Sequence, residues 1–228
     1  MLDTPMIGQV RALALCTRRV ANPQRVDRIE AVAGAGLADE VHADPLSPRQ
    51  VLLAGAGAYA DLDLAPHALR ENLLLDLDTA RLRSGTVLQV GSAVRLRLMF
   101  QCEACGQLDR FRPGLARELG PRRGILARVL SGGTIRIGDP VLDLGPLLPA
   151  WPDDWKQRVL RVLGVVPPGA VVSYAQLARL AGIQSSYCRA FPALLRKLGP
   201  DYLRKAVAQH AQSSLPRWEG AGLFDDEL

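Results

Sequence analysis

The stretch Leu144-Gly-Pro-Leu-Leu-Pro-Ala-Trp-Pro152 constrains the fold more than any other feature of the chain. Three prolines and a glycine in nine residues cannot continue a helix or a central strand, because proline lacks the amide proton that both need. The hydrophobic period also changes across this break. Before it, apolar residues alternate or cluster in short β-branched runs: Gln9–Leu15, Val87–Val90, Val94–Met99, Ile125–Leu130 and Thr134–Ile137, separated by Gly85, Gly91, Gly132, Gly133 and Gly138. Strands at such spacing predict a barrel or sandwich. Pro66–Asp76 reads as a helical turn or a functional loop.

After the break the period is helical. Trp155, Val159, Leu160 and Leu163 mark an amphipathic helix, and Val165-Val-Pro-Pro-Gly169 a turn. Ser173 is placed to cap a short helix through Ala181, which Gly182 stops. A further helix is predicted from Tyr187, Ala190, Phe191, Leu194, Leu195 and Leu198, with Ser186, Arg189, Ala193 and Arg196 on its other face. Two helices around a glycine-bearing turn, the second with a basic outer face, form the helix-turn-helix pattern. Residues 156–205 carry nine basic side chains against one acid, Asp201. Such a concentrated positive field suits phosphate binding, and it equally suits a solvated helical face.

A chain of 228 residues, 48% hydrophobic, is long enough for two units that each bury a core. No run approaches the roughly 18 apolar residues of a membrane span, and the first residues lack the basic start and apolar run of a signal peptide. A soluble cytoplasmic protein with reduced thiols is expected. Four cysteines make no disulfide framework. Cys102-Glu-Ala-Cys105 is a lone CxxC, open to reading as a reactive pair, as inert buried thiols or as half a zinc site. Zinc is not expected, since no second CxxC exists and Cys16, His42, His67 and His210 show no ligand spacing. Gly34-Ala-Gly36-Leu-Ala-Asp39 echoes a dinucleotide fingerprint, but no βαβ unit follows it.

Read in order, Gly36-Leu-Ala-Asp39-Glu-Val-His42, Arg49-Gln-Val51, Leu69-Arg-Glu-Asn72-Leu, Gly85-Thr-Val-Leu-Gln-Val-Gly91, Glu103-Ala-Cys105-Gly-Gln-Leu-Asp109, Arg112-Pro-Gly114, Arg123-Gly124-Ile-Leu-Ala-Arg128 and Gly132-Gly-Thr-Ile-Arg-Ile-Gly138-Asp139 resemble the MOSC family over about residues 7–143. The family is named for the C-terminal domain of molybdenum-cofactor sulfurase. The resemblance implies a β-rich barrel and a cysteine that carries sulfur, ligates molybdenum or does redox chemistry. Cys105 stands at that position, and a thiolate is both nucleophile and soft metal ligand. Cys102 is the candidate resolving thiol. Asp39, His42, Arg49, Asn72 and Arg123 are the candidate cofactor-pocket residues. Arg110, Arg112, Arg122 and Arg123 are the candidates to lower the Cys105 pKa if the fold brings them to it. The implied cofactor is molybdenum cofactor or a cysteine persulfide. Pyridoxal phosphate is not expected, because its Schiff base needs a lysine and residues 1–150 contain none.

Trp155-Lys-Gln-Arg-Val-Leu-Arg-Val-Leu-Gly-Val-Val-Pro-Pro-Gly169-Ala-Val-Val-Ser-Tyr174-Ala-Gln-Leu-Ala178, followed by Cys188-Arg189-Ala190, resembles the DNA-binding domain of alkylguanine-DNA alkyltransferases and alkyltransferase-like proteins. That resemblance implies a winged helix on double-stranded DNA. Tyr174 would press on the backbone beside a flipped nucleotide, and Arg189 would fill the vacated stack. Ser173, Ser186, Arg196 and Lys197 complete the candidate DNA contacts. The sequence departs from the family where it has Gly199-Pro-Asp201-Tyr202 in place of the acceptor-cysteine loop, so suicidal alkyl transfer is excluded. Pro192 falls inside the predicted recognition helix, where it would kink it, and Asp201–Gln209 has helical character.

The expected fold class is thus α+β, a MOSC barrel over 1–148 and a small winged-helix domain over 149–228. The expected function is a cysteine-dependent MOSC protein acting by sulfur transfer or reduction on a small molecule or modified base, tethered to a non-catalytic DNA-binding module. A lesion sensor with the barrel as scaffold and a sulfur carrier without a DNA role are the alternatives. No membrane partner is expected.

Overall fold

The computed structural model describes residues 5–18, 22–104, 106, 108–110 and 112–225. They fall into two compact units, Met1–Pro45 with Arg49–Trp151, and Leu46–Pro48 with Pro152–Leu228.

The first unit is built from β1 (Met6–Leu15), β2 (Gln24–Val26), β3 (Arg28–Val32), β4 (Gly36–Leu37), β5 (Val51–Gly55), α1 (Ala56–Leu62), β6 (Leu73–Leu75), β7 (Thr86–Val90), β8 (Val94–Gln101), α2 (Leu115–Leu119), β9 (Ile125–Ser131), β10 (Gly133–Arg136) and β11 (Pro140–Pro146). Among the described residues, seven strands run in the order β11-β7-β8-β9-β5-β6-β1. Pairing of β1 with β11 closes the ring, and β2 extends it. All these pairs are antiparallel except β5 with β6. A barrel rather than a sandwich results, and closure leaves its sheet without a free edge along the ring. A smaller sheet, β10-β3-β4, lies beside it.

Period-two alternation fills the interior. Val94, Leu96 and Leu98 of β8, Ile125, Ala127 and Val129 of β9, Val51 and Leu53 of β5, and Leu73 and Leu75 of β6 share one buried cluster. On the opposite face of β5 and β6, Ala54 and Leu74 meet a second cluster formed by Ala58, Leu69, Leu108, Leu115 and Leu119. Helices α1 and α2 and the loop leading to β6 thus cover the outside of the barrel wall. Pro66–Asp76 resolves into a turn followed by β6.

The proline-rich break proves more ordered than its composition predicts. β11 continues to Pro146 after a register irregularity between Asp143 and Pro146. Beyond it, the Leu148 amide donates to Gly85 O at 3.1 Å and the Trp151 amide to Ser84 Oγ at 2.7 Å. Fully buried Arg97 donates to Pro149 O at 2.8 Å. The tethers are the amides of the non-proline residues Leu148 and Trp151 and one carbonyl, Pro149 O, which proline keeps.

The second unit contains α3 (Trp155–Val165), β12 (Val172–Ser173), α4 (Tyr174–Leu180), α5 (Phe191–Leu198), α6 (Pro200–Leu203) and β13 (Ala206–Val207). Asp154 caps α3, accepting from the Lys156 and Gln157 amides at 2.7 and 3.1 Å. Val159, Val162 and Leu163 form its buried face. Ser173 caps α4 through the Gln176 amide at 3.1 Å, as its sequence position predicts. Arg158, 1% exposed, gathers the carbonyls of Pro152, Asp153 and Ala181.

Two expectations need correction. The predicted helix from Tyr187 to Leu198 is split: Ser185–Ala190 is a 3-10 turn and α5 begins at Phe191. Pro192 therefore starts a helix instead of kinking one, since a first-turn residue has no intrahelical amide bond to lose. Asp201–Gln209 is not one helix either. Only Pro200–Leu203 is helical, and Ala206–Val207 pairs in parallel with β12.

Candidate functional site

Asn72, the residue before β6, is 6% exposed and uses its whole amide. Its Oδ1 accepts the Leu52 amide at 3.0 Å, and its Nδ2 reaches Ala14 O at 3.3 Å and Glu40 Oε2 at 2.8 Å. Glu40, whose side chain is fully buried, also accepts the Cys16 amide at 2.8 Å, and its other oxygen takes His42 Nδ1 at 2.7 Å. Burial pushes the Glu40 carboxyl up, but the hydrogen bonds from His42 and the Cys16 amide outweigh it and hold the group below its ordinary value. His42 itself is exposed. One carboxylate thus joins the end of β1, the loop after β4 and the start of β6.

The next residue back, Glu71, is 1% exposed. It accepts from Tyr59 Oη at 2.6 Å and contacts His67 Nδ1 at 3.0 Å. Burial and the Glu71 charge both push the Tyr59 phenol far up, so it stays a proton donor. Arg70 Nη2 lies 3.4 Å from Cys16 Sγ. Burial raises the Cys16 thiol, the Arg70 charge pulls it back, and Glu40 and Glu71 add to the rise. His67 and Arg70 both hold left-handed backbone, with φ of 58° and 56°. Non-glycine residues there cost of order 1–3 kcal/mol each, and such strain clusters at functional sites.

Of the expected pocket residues, His42 and Asn72 meet through Glu40. Asp39 is exposed with φ 62°, and Arg49 is half-buried. Arg123 is 8% exposed, and its charge acts on Tyr59. Cys102 is 5% exposed at the end of β8; its amide donates to Gly124 O at 2.8 Å and its thiol faces Glu103 O at 3.9 Å. Cys105, expected as catalytic residue and metal ligand, lies outside the described residues, as does the Arg110 side chain. Arg112 and Arg122 are engaged by Glu118 at 2.7 Å and Asp61 at 3.0 Å. Sequence reasoning passed over Cys16, Glu40, Tyr59, His67 and Glu71. The one available signal was that two of these acids flank motif residues, Glu40 beside Asp39 and Glu71 beside Asn72.

A separate cavity of about 420 Å³ lies between Gly55–Ala58 and Asp76–Thr79. Its acids serve the fold: Asp61 pairs with Arg122, Asp76 with Arg11 and the Gln9 amide, and Asp78 caps the following turn.

In the second unit Ser173 is 6% exposed and committed to its cap. Tyr174 is half-buried, edge-on to Phe191 with centroids 5.7 Å apart. Ser186, Arg189, Arg196 and Lys197 are exposed. Cys188 donates to Tyr174 O at 3.4 Å, and burial raises its thiol.

Residues 46–142 match the family model of the MOSC domain. Among solved structures, the YUAD protein from Bacillus subtilis is 17% identical with a TM-score of 0.51, over 60% of this chain and 94% of its own. A hypothetical protein is 19% identical with a TM-score of 0.52, over 85% and 91%. YiiM from Escherichia coli is 18% identical over 85% and 92%, with a TM-score of 0.47. The first two likenesses are likenesses of fold. No curated protein matches the chain. The matched span holds Arg49, Asn72, Cys102, Cys105 and Arg123, while Asp39 and His42 precede it. Over residues 46–142 the MOSC resemblance read from the sequence is therefore supported by the family model.

Proposed function

We propose that the first unit is a cysteine-dependent enzyme that moves sulfur or electrons on a small molecule, with Cys105 as its working thiol and Cys102 as the resolving one. The observation that carries this reading is the pair of buried carboxylates, Glu40 and Glu71, joined to Asn72, His42, His67 and Cys16. An aliphatic barrel needs no such groups, and burying charge is costly without a use for it. In the sulfur-carrying form, Cys102 attacks Cys105 Sγ, the inner sulfur of the persulfide, so that the Sγ–S bond breaks, a Cys102–Cys105 disulfide forms and hydrosulfide leaves. Two equivalents of an external thiol then reduce that disulfide, leaving as their own disulfide, and a persulfide donor recharges Cys105. Because Cys102 is buried, this step requires its turn to open locally.

Among the described residues no group of three His, Cys, Asp or Glu is placed to hold a metal ion. A single thiolate suits only a metal that arrives with its own organic chelator, as molybdenum cofactor does. Cys105 would ligate it, and Asp39, His42, Arg49, Asn72 and Arg123 are the residues assigned to its pocket. When bound, it supplies two-electron redox exchange. The test is to purify the protein with and without molybdenum cofactor and to follow thiol turnover and the reduction of N-hydroxylated bases. Equal activity in wild type and Cys105→Ala removes the reading.

A second reading concerns the other unit. Arg189, Arg196 and Lys197 are exposed within one basic segment, which supports binding to double-stranded DNA by a module without an acceptor cysteine. The barrel would then serve a modified base, or act as scaffold for a lesion sensor. Affinity for duplex DNA should fall with salt and drop in Arg189→Ala. Undiminished affinity in that variant counts against it.

A further inference from the structure

Arg123 closes the 3-10 turn Gly120–Arg123 ahead of β9. Its backbone is fixed: the next residue, Gly124, has φ 114°, and a Cβ there would lie 2.3 Å from Leu53 O. Only glycine permits that approach, so the guanidinium is launched from a rigid point on the barrel wall. The side chain is 8% exposed, yet Nε and Nη1 are buried with no hydrogen-bond partner. An arginine cannot discharge itself by losing its proton. A buried unpaired cation is among the least favourable arrangements a fold can keep.

The nearby acids are already occupied. Both Glu71 oxygens are taken, by Tyr59 Oη and His67 Nδ1. Asp61 serves Arg122 and Glu118 serves Arg112. Tyr59 lies within the field of Arg123 and already gives its proton to Glu71. Among the described residues no acceptor reaches Arg123 Nε or Nη1.

From this we infer that Arg123 is the anchor of an oxyanion site beside Tyr59, Glu71 and His67, taking a carboxylate, phosphate or sulfate group of a small molecule. Glu71 repels an anion placed against it, so the bound group sits on the arginine side of Tyr59. The inference rests on the reading of the first unit as a small-molecule enzyme, but binding here does not depend on Cys105.

Inorganic phosphate, sulfate and acetate, titrated into the full chain at constant ionic strength against chloride, test it by calorimetry and thermal shift. At least one of the three should bind saturably in the millimolar range or tighter. Arg123→Met should lose about tenfold or more of that affinity, a conservative Arg123→Lys less. Without added anion, Arg123→Met should melt at or above the wild-type temperature, because it removes an uncompensated charge. Binding that is absent in wild type, or equal in Arg123→Met, overturns the inference. So does an Arg123→Met variant that melts lower or fails to fold, since the arginine is then structural. Oxyanion binding that persists in Cys105→Ala, in a protein whose turnover does not depend on that thiol, would sink the catalytic reading and leave the site standing.

Discussion

Asn72 and Glu40 meet through one 2.8 Å hydrogen bond from Nδ2 to Oε2, although 32 residues separate them. Each is also tied to main chain, Asn72 to Leu52 and Ala14 and Glu40 to Cys16. The pair is therefore a joint between strands as well as part of the candidate site. Asn72→Ala strands the Leu52 amide, the Ala14 carbonyl and one lobe of a buried carboxylate. The loss should be about 2–4 kcal/mol in urea unfolding. A change below about 0.5 kcal/mol would show that these groups find other partners.

The depressed Glu40 carboxyl gives a signed acid response. Its folded pKa lies below the ordinary glutamate value. The stability that its ionised form contributes is therefore complete above that value and is lost as pH falls through the folded pKa. Glu40→Gln should flatten the decline in urea midpoint between about pH 6 and about pH 3. An unchanged slope would place the acid response elsewhere.

Cysteine reactivity should follow burial. Cys16 is 3% exposed with its thiol pushed up, and only thiolates alkylate quickly. Peptide mapping after brief iodoacetamide treatment at neutral pH should find Cys16 unmodified until denaturant is added. Rapid labelling of Cys16 in native protein would mean that the end of β1 opens readily.

Pro192 offers a test of the second unit. At the first turn of α5 it forfeits no helical bond, so Pro192→Ala should change stability by about 1 kcal/mol or less, and downward. A gain of several kcal/mol would instead indicate a continuous helix running through it.

Much of the barrel was legible because its strands carry their own signal. Val94, Leu96 and Leu98 alternate visibly, and their register follows. Ser173 was equally readable, since a cap acts on residues three positions away. The Cys16–Glu40–Asn72 cluster was not, because no local pattern links those residues; only the pairing of β1 with β6 brings them together. Motif order singled out His42 and Asn72 but not the carboxylate between them. The stretch after Asp201 misled for a related reason. Ala206 and Val207 have helical spacing, yet a partner in β12 satisfies their backbone as strand, and tertiary pairing overrides weak local preference.

Ring closure between β1 and β11 has a kinetic corollary. Met6 finds its neighbour at Leu142, so the earliest strand must wait for nearly the whole unit to be synthesised before its flank is covered. During that wait β1 presents unpaired amides and carbonyls to the cell, and contacts this distant in sequence form slowly. A ribosome-bound chain truncated before Pro140 should therefore behave as a chaperone client, and release from chaperones should coincide with the emergence of β11.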